Sequence, residues 1–332
     1  MSFSIARCFL VSFALAGWIG CGGPPPAPDA APSMVPASPA GAFAVVSTFD
    51  LRLPAAAQPA MAALTAATDG PDDPSRFVID RMIEGLPDGS AKTIAKAVAP
   101  YVAAYVNARL NEIAPRFVGG LAGIATGLSR IATHVGTLET LQIDAGGTGV
   151  RTIHGVRFEV GGAVTVVHLA EAGLADISAA VRAVLDATGQ LAISEHAHGL
   201  PYGAILRLGL DRAVVPSVQP GARDLAEALG ALLDCARLGA LVAERVGLGS
   251  AALYAAACQT AMTAAASEVD ARLAAIDQIA LGIEVAGTVH AVDHDGDGTI
   301  DELTGGRWTG AVYTGQIREL IDAASFAGTA AR

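Results

Sequence analysis

Residues Asp293-His294-Asp295-Gly296-Asp297-Gly298-Thr299-Ile300-Asp301 constrain the fold of this 332-residue chain more than any other stretch. Carboxylates at relative positions 1, 3, 5 and 9 of that stretch can be turned onto a common point, where their oxygens suit a hard cation such as calcium. Gly298, at position 6, permits the sharp turn that brings in the backbone carbonyl of position 7, Thr299. Left without a cation, carboxylates this close would repel one another. The flanks, Ile279 to Val292 and Gly306 to Thr314, read as strands, so the loop is expected to clip a β-hairpin near the C-terminus.

The pattern D-x-D-x-D-G-x-x-D resembles the loops of EF-hand, dockerin and integrin-repeat proteins. Position 12 is Thr304 where an EF-hand has a bidentate glutamate, and strands replace helices as flanks, so the loop is most similar to the integrin-repeat type. The resemblance implies Asp293, Asp295, Asp297 and Asp301 as side-chain ligands, Thr299 as a carbonyl ligand and calcium as the ion. It covers this loop alone and implies no activity. A hairpin clip has no paired helices to open, so the expected role of the ion is structural.

Met1 to Gly20 reads as a secretory signal, with Arg7 as its positive region and Cys8 to Ile19 as a short apolar run. That run is too short to favour a spanning helix. Its end, Trp18-Ile19-Gly20-Cys21, resembles the lipobox of bacterial lipoproteins, which implies lipid on Cys21 and an extracytoplasmic, envelope-anchored protein. Gly22 to about Pro39 is rich in proline, alanine, glycine and serine and reads as an extended tether, so residues 21–40 form a lipidated stalk. Residues 41–332 then make one globular domain.

Cys235 and Cys258 remain for that domain. They fall in two expected helices, Arg223 to Val246 and Ala251 to Ile276, joined at Gly247-Leu248-Gly249. In an oxidising compartment a disulfide across an antiparallel helix pair is the natural outcome, and two free buried thiols are the alternative.

The rest of the chain suggests an α+β fold: N-terminal helices, an antiparallel β meander, the disulfide-linked helix pair and the C-terminal calcium-binding β-hairpin. Phe43 to Leu53 reads as a strand. Helices are expected from Asp72 to Gly85, with Asp73 as cap, and from Ala91 to Ala114, where Ile94, Val98, Tyr101 and Tyr105 form one stripe and Pro100 should kink or split the helix. Phe117 to His134 reads as a third helix, whose glycines require a close neighbour. Thr137 to Asp144, Val150 to Val160 and Ala163 to Ala170 form the meander. Ile177 to Ala187 and Gln316 to Ala324 read as short helices, Gln190 to Glu195 as a strand, and His196 to Gly203 as a turn.

With 52% apolar residues the chain can bury a substantial core, and its formal charge of −11 gives no electrostatic support for nucleic-acid binding. No G-x-S-x-G, H-E-x-x-H or P-loop pattern occurs. Glu195-His196-Ala197-His198 offers a second metal candidate, since His196 and His198 would share one face of a strand, where a distant carboxylate or His168 would complete a zinc site. His154 and His168 read as structural histidines on strands. The helices beside the meander also have the materials of a groove for an apolar or lipid ligand, with core packing as the plainer reading. The sequence therefore points to a calcium-stabilised envelope lipoprotein, binding an apolar ligand or another envelope protein without catalysis. A metal-dependent hydrolase built on His196 and His198 is the competing class.

Overall fold

The computed structural model describes residues 35–53, 58–59, 62, 74–279, 281–315 and 317–331. The signal segment, Cys21, the tether as far as residue 34 and the Asp72-Asp73 helix start lie outside the described residues. In chain order the elements are β1 (Gly41–Asp50), α1 (Pro74–Glu84), α2 (Ser90–Ile113), α3 (Phe117–Thr133), β2 (His134–Ile143), β3 (Thr148–Val160), β4 (Ala163–His168), β5 (Ile177–Leu185) and β6 (Gln190–Gly199). They continue with α4 (Tyr202–Gly209), a π-helical turn (Leu210–Val214), α5 (Val215–Val218), α6 (Leu225–Leu232), α7 (Cys235–Val246), α8 (Ala251–Ile276), β7 (Leu281–Val292), β8 (Glu302–Thr314), β9 (Ile317–Leu320) and β10 (Ala323–Ala330).

The strands close into a barrel. Its wall runs β1-β2-β3-β5-β6-β7-β8-β10 and returns to β1, every pairing antiparallel, with β4 added beside β3 and β9 beside β8. This replaces the expected α+β arrangement of an open meander and a separate C-terminal hairpin. The hairpin β7–β8 is present, but it is part of the wall, and the first strand pairs with the last through Phe43↔Ala330 to Asp50↔Ala323. Closure removes the sheet edges that an open meander would leave exposed.

Two of the expected short helices are strands. Ile177–Leu185 points Ile177, Val181 and Ala183 inward while Arg182 and Val184 face solvent, which is the two-residue period of a barrel wall. Residues 317–320 and 323–330 form β9 and β10, so the expected helix from Gln316 to Ala324 is also overturned. β5 and β10 are alanine-rich, and there small side chains fit the crowded barrel and pairing on both sides outweighs alanine's helical preference, while β9 adds to β8 alone.

Among the described residues, the helices long enough to pack sit in two excursions, residues 51–133 between β1 and β2 and residues 200–280 between β6 and β7. Because β1 and β6 run the same way, both excursions leave from the same end of the barrel, where Asp50 pairs with His134 and Gly199 with Gly282. There α8 forms the centre of a helical layer, with α1, α4, α6 and α7 against it. The expected helix from Arg223 to Val246 is two helices, because Asp234 turns its side chain back to accept the Arg237 N–H and starts α7. α2 runs unbroken through Pro100 and buries Ala95, Ala99, Val102, Val106 and Leu110. Of the expected stripe, Val98 packs against the core and Tyr105 is half-buried, while Tyr101 is 73% and Ile94 42% exposed. The glycines of α3 do admit close neighbours: a Cβ on Gly127 would meet Val214 at 2.6 Å, and one on Gly120 would meet Leu232 at 2.7 Å.

The opposite end carries the β2–β3, β5–β6 and β7–β8 turns together with Gly41 and Ala330, the outer ends of the first and last strands. The Asp293–Asp301 loop is one of those turns. The barrel and the helical layer share one continuous apolar core.

Candidate metal centre and the barrel interior

The loop between β7 and β8 is built by its own aspartates. Asp293, only 1% exposed, accepts the Gly296 N–H at 2.7 Å on Oδ1 and the Gly298 N–H at 2.8 Å on Oδ2. Burial alone would raise the Asp293 carboxyl, but those N–H groups and that of Asp295 hold it below its usual range. Asp295 Oδ1 accepts from the Asp297 N–H at 3.1 Å, and Asp297 Oδ1 from the Thr299 N–H at 2.8 Å. Gly296 and Gly298 take positive φ values of 79° and 89°, which side-chain-bearing residues rarely adopt. Ile300, 3% exposed, plugs the loop into the core.

These turns bring oxygens of Asp293, Asp295 and Asp297 within 4.8 Å of one another, a cluster that can hold a metal ion. Asp301 stands outside that cluster, where its Oδ2 accepts the His294 N–H at 2.8 Å. Among the described residues, neither His196 nor His198 belongs to a group of three or more metal-ligating side chains.

The loop is also fastened to both ends of the barrel chain. Ala37 donates its N–H to the Gly298 carbonyl at 3.0 Å, just before β1 begins, and Ala330 in β10 donates to the Asp301 carbonyl at 2.8 Å. Neither link is visible in the aspartate pattern, because both partners are alanines whose backbone alone takes part.

His196 and His198 lie inside the barrel on β6, in place of the expected turn. A plain alternation from Leu191 and Ile193 would point them outward. The pairing steps from Ile193↔Gly287 to His196↔Val285, so Ser194-Glu195 carries one extra residue in a bulge, and both histidines return to the interior face. There they meet a polar cluster that alternation alone could have suggested. Ser47, Thr137, Glu139 and Arg151 occupy inward positions on β1, β2 and β3 and are 4% exposed or less.

Arg151 organises this cluster. It grips Glu139 with Nε at 2.6 Å and Nη2 at 2.7 Å, lies 4.4 Å from the Trp308 ring centroid and donates through Nη1 to His196 Nε2 at 3.1 Å. Trp308 Nε1 donates to Ser47 Oγ at 3.0 Å, and Thr137 donates its hydroxyl to Glu139. Burial would raise the Glu139 carboxyl, but the Arg151 charge and these hydrogen bonds hold it below its usual range. His196 Nδ1 lies 2.9 Å from the Ser194 carbonyl, which only accepts, so Nδ1 carries the proton and Nε2 receives from Arg151. The ring is therefore neutral, with its one lone pair occupied. It has nothing left for a metal. His198, 9% exposed, is pushed down to about 4 by burial and then by the Arg151 charge. A guanidinium beside both rings opposes a cation as well as a proton.

Cys235 and Cys258 are bonded, with Cα atoms 5.5 Å apart, and join α7 to α8. The apolar space among Ile79, Met82, Val102, Val242 and Tyr254 in the helical layer amounts to about 10 Å³, room for a single water at most. No protein-family model, curated protein or solved structure matches the chain.

Proposed function

We propose that this chain is a lipid-anchored protein of the bacterial cell envelope whose barrel is clipped by a structural calcium ion, and that it acts by binding or scaffolding without catalysis. The observation that carries this reading is the pair of backbone links from the aspartate loop to Ala37 and Ala330. An ion held by the Asp293, Asp295 and Asp297 carboxylates and the Thr299 carbonyl would stiffen the point where the barrel chain begins and ends. Calcium fits this all-oxygen donor set, with water filling its remaining positions. Asp301 then serves as a brace for His294, or moves in as a further ligand.

The segment Met1 to Cys21 supports export and lipid attachment, and residues 21–40 lead from the lipid to β1. Between an apolar ligand and another envelope protein as partner, Ile94 and Tyr101, exposed on α2, support the protein. The charge of −11 argues against nucleic acid.

Metal analysis after dialysis tests the ion. The reading requires one calcium per chain, and loss of that calcium in the Asp295→Ala, Asp297→Ala double variant. Unchanged calcium affinity in that variant would remove the site. Cys21→Ser should abolish acyl labelling, and persistent labelling would refute the anchor.

A further inference from the structure

A second cluster of metal-ligating side chains lies on the outer wall of the barrel, away from the aspartate loop. His154 on β3 and His168 at the end of β4 place their ring centroids 6.0 Å apart with planes only 13° from parallel. The backbone creates this neighbourhood. β3 pairs with β2 through Leu138↔Gly155 and then Glu139↔Ile153, so His154 is the extra residue of a bulge and turns out of the wall beside Gly155. Gly155 is in turn the register partner of His168, which sets the His168 ring beside that of His154.

Both rings are accessible, His154 half-buried and His168 exposed. Neither ring has a hydrogen-bond or ion-pair partner among the described residues, in contrast to His134 with Asp50, His196 with Arg151 and His294 with Glu302. Their nitrogens are thus free to ligate. An ion held at about 2.1 Å by one nitrogen of each ring sits about 3.2 Å from each centroid, so two rings sharing an ion have centroids at most about 6.4 Å apart. The observed 6.0 Å lies inside that limit, and because the near-parallel rings are stacked, one of these unpartnered imidazoles turns about its Cβ–Cγ bond to bring both in-plane lone pairs onto a shared ion.

We propose that His154 and His168 form a surface site for an imidazole-preferring divalent transition metal, bound by both rings with water completing the coordination. Two neutral nitrogens without a carboxylate select copper(II), nickel(II) or zinc(II) over calcium or magnesium, and copper(II) binds such a donor pair most tightly. The site is independent of the calcium loop in position and in ligand chemistry.

The test is titration of the untagged full chain with copper(II) in calcium-saturated buffer, read by calorimetry and by the nitrogen hyperfine pattern in electron paramagnetic resonance. The His154→Ala, His168→Ala double variant supplies the baseline for copper bound elsewhere. The wild-type chain should bind one more copper than this baseline, with two nitrogens in its pattern. Each single variant should weaken that binding by about tenfold or more, and His290→Ala, another exposed histidine, should leave it unchanged. The proposal is overturned if the double variant binds as the wild type does, or if His290→Ala removes the extra copper. Equal melting temperatures for wild type and variants, measured without copper, confirm that each variant is folded.

Discussion

Ala37 donates its backbone N–H to the carbonyl of Gly298 at 3.0 Å, so the segment entering the barrel is fastened to the aspartate loop at the far end of the sequence. Gly298 holds that carbonyl in place with a φ of 89°, and a Cβ there would also touch Ala37 at 3.5 Å.

Gly298→Ala should therefore destabilise the fold by about 1–2 kcal/mol through left-handed backbone strain. The check is chemical denaturation of the variant in excess calcium. A midpoint equal to that of wild type would mean that the loop does not hold this conformation in solution.

The buried Arg151–Glu139 pair makes the barrel interior sensitive to half-replacement. Glu139→Ala leaves a guanidinium uncompensated in the core, with a cost of about 3–5 kcal/mol. Replacing both partners with apolar residues, Glu139→Leu with Arg151→Met, should recover most of that loss. Equilibrium unfolding of the two variants measures the difference.

Acid should loosen the barrel through His196 and His198. Both titrate below the ordinary 6.5 when folded, His198 at about 4, so between those values the unfolded chain binds more protons than the folded one. Their contribution to stability is complete above about pH 6.5 and is lost as pH falls toward 4, with His198 accounting for roughly 3 kcal/mol. Replacing His198 by Phe should flatten that part of the stability–pH curve.

Reduction of Cys235–Cys258, which closes a separation of 23 residues, should cost about 3 kcal/mol while leaving the barrel able to fold. Thermal melts with and without reductant check this, with far-ultraviolet circular dichroism to confirm retained strand content.

Parts of this architecture were legible in the sequence because their signals are local. Val150 to Val160 gathers β-branched and aromatic residues between glycine pairs, Gly247-Leu248-Gly249 punctuates the α7–α8 turn, and the aspartate spacing locates the β7–β8 loop. Closure was not legible. The pairing of Phe43 with Ala330 joins residues at opposite ends of the domain, and β10 presents only Ala, Ser, Phe, Gly and Thr, which carry little strand signal by themselves. β5 was hidden in the same way by Ala179, Ala180 and Ala183. The interior cluster was obscured by backbone irregularity: one extra residue at Ser194-Glu195 reverses the phase that Leu191 and Ile193 announce, so His196 and His198 could be placed on a common face but not assigned to the inside.

Hydrogen exchange at the amides of Ala37 and Ala330, with and without saturating calcium, tests the central claim most directly. If calcium at Asp293, Asp295 and Asp297 clips the two ends of the barrel chain through the loop, both amides become more protected when calcium binds, and the Asp295→Ala, Asp297→Ala variant shows no such gain. Calcium binding that leaves the exchange of both amides unchanged would contradict the account.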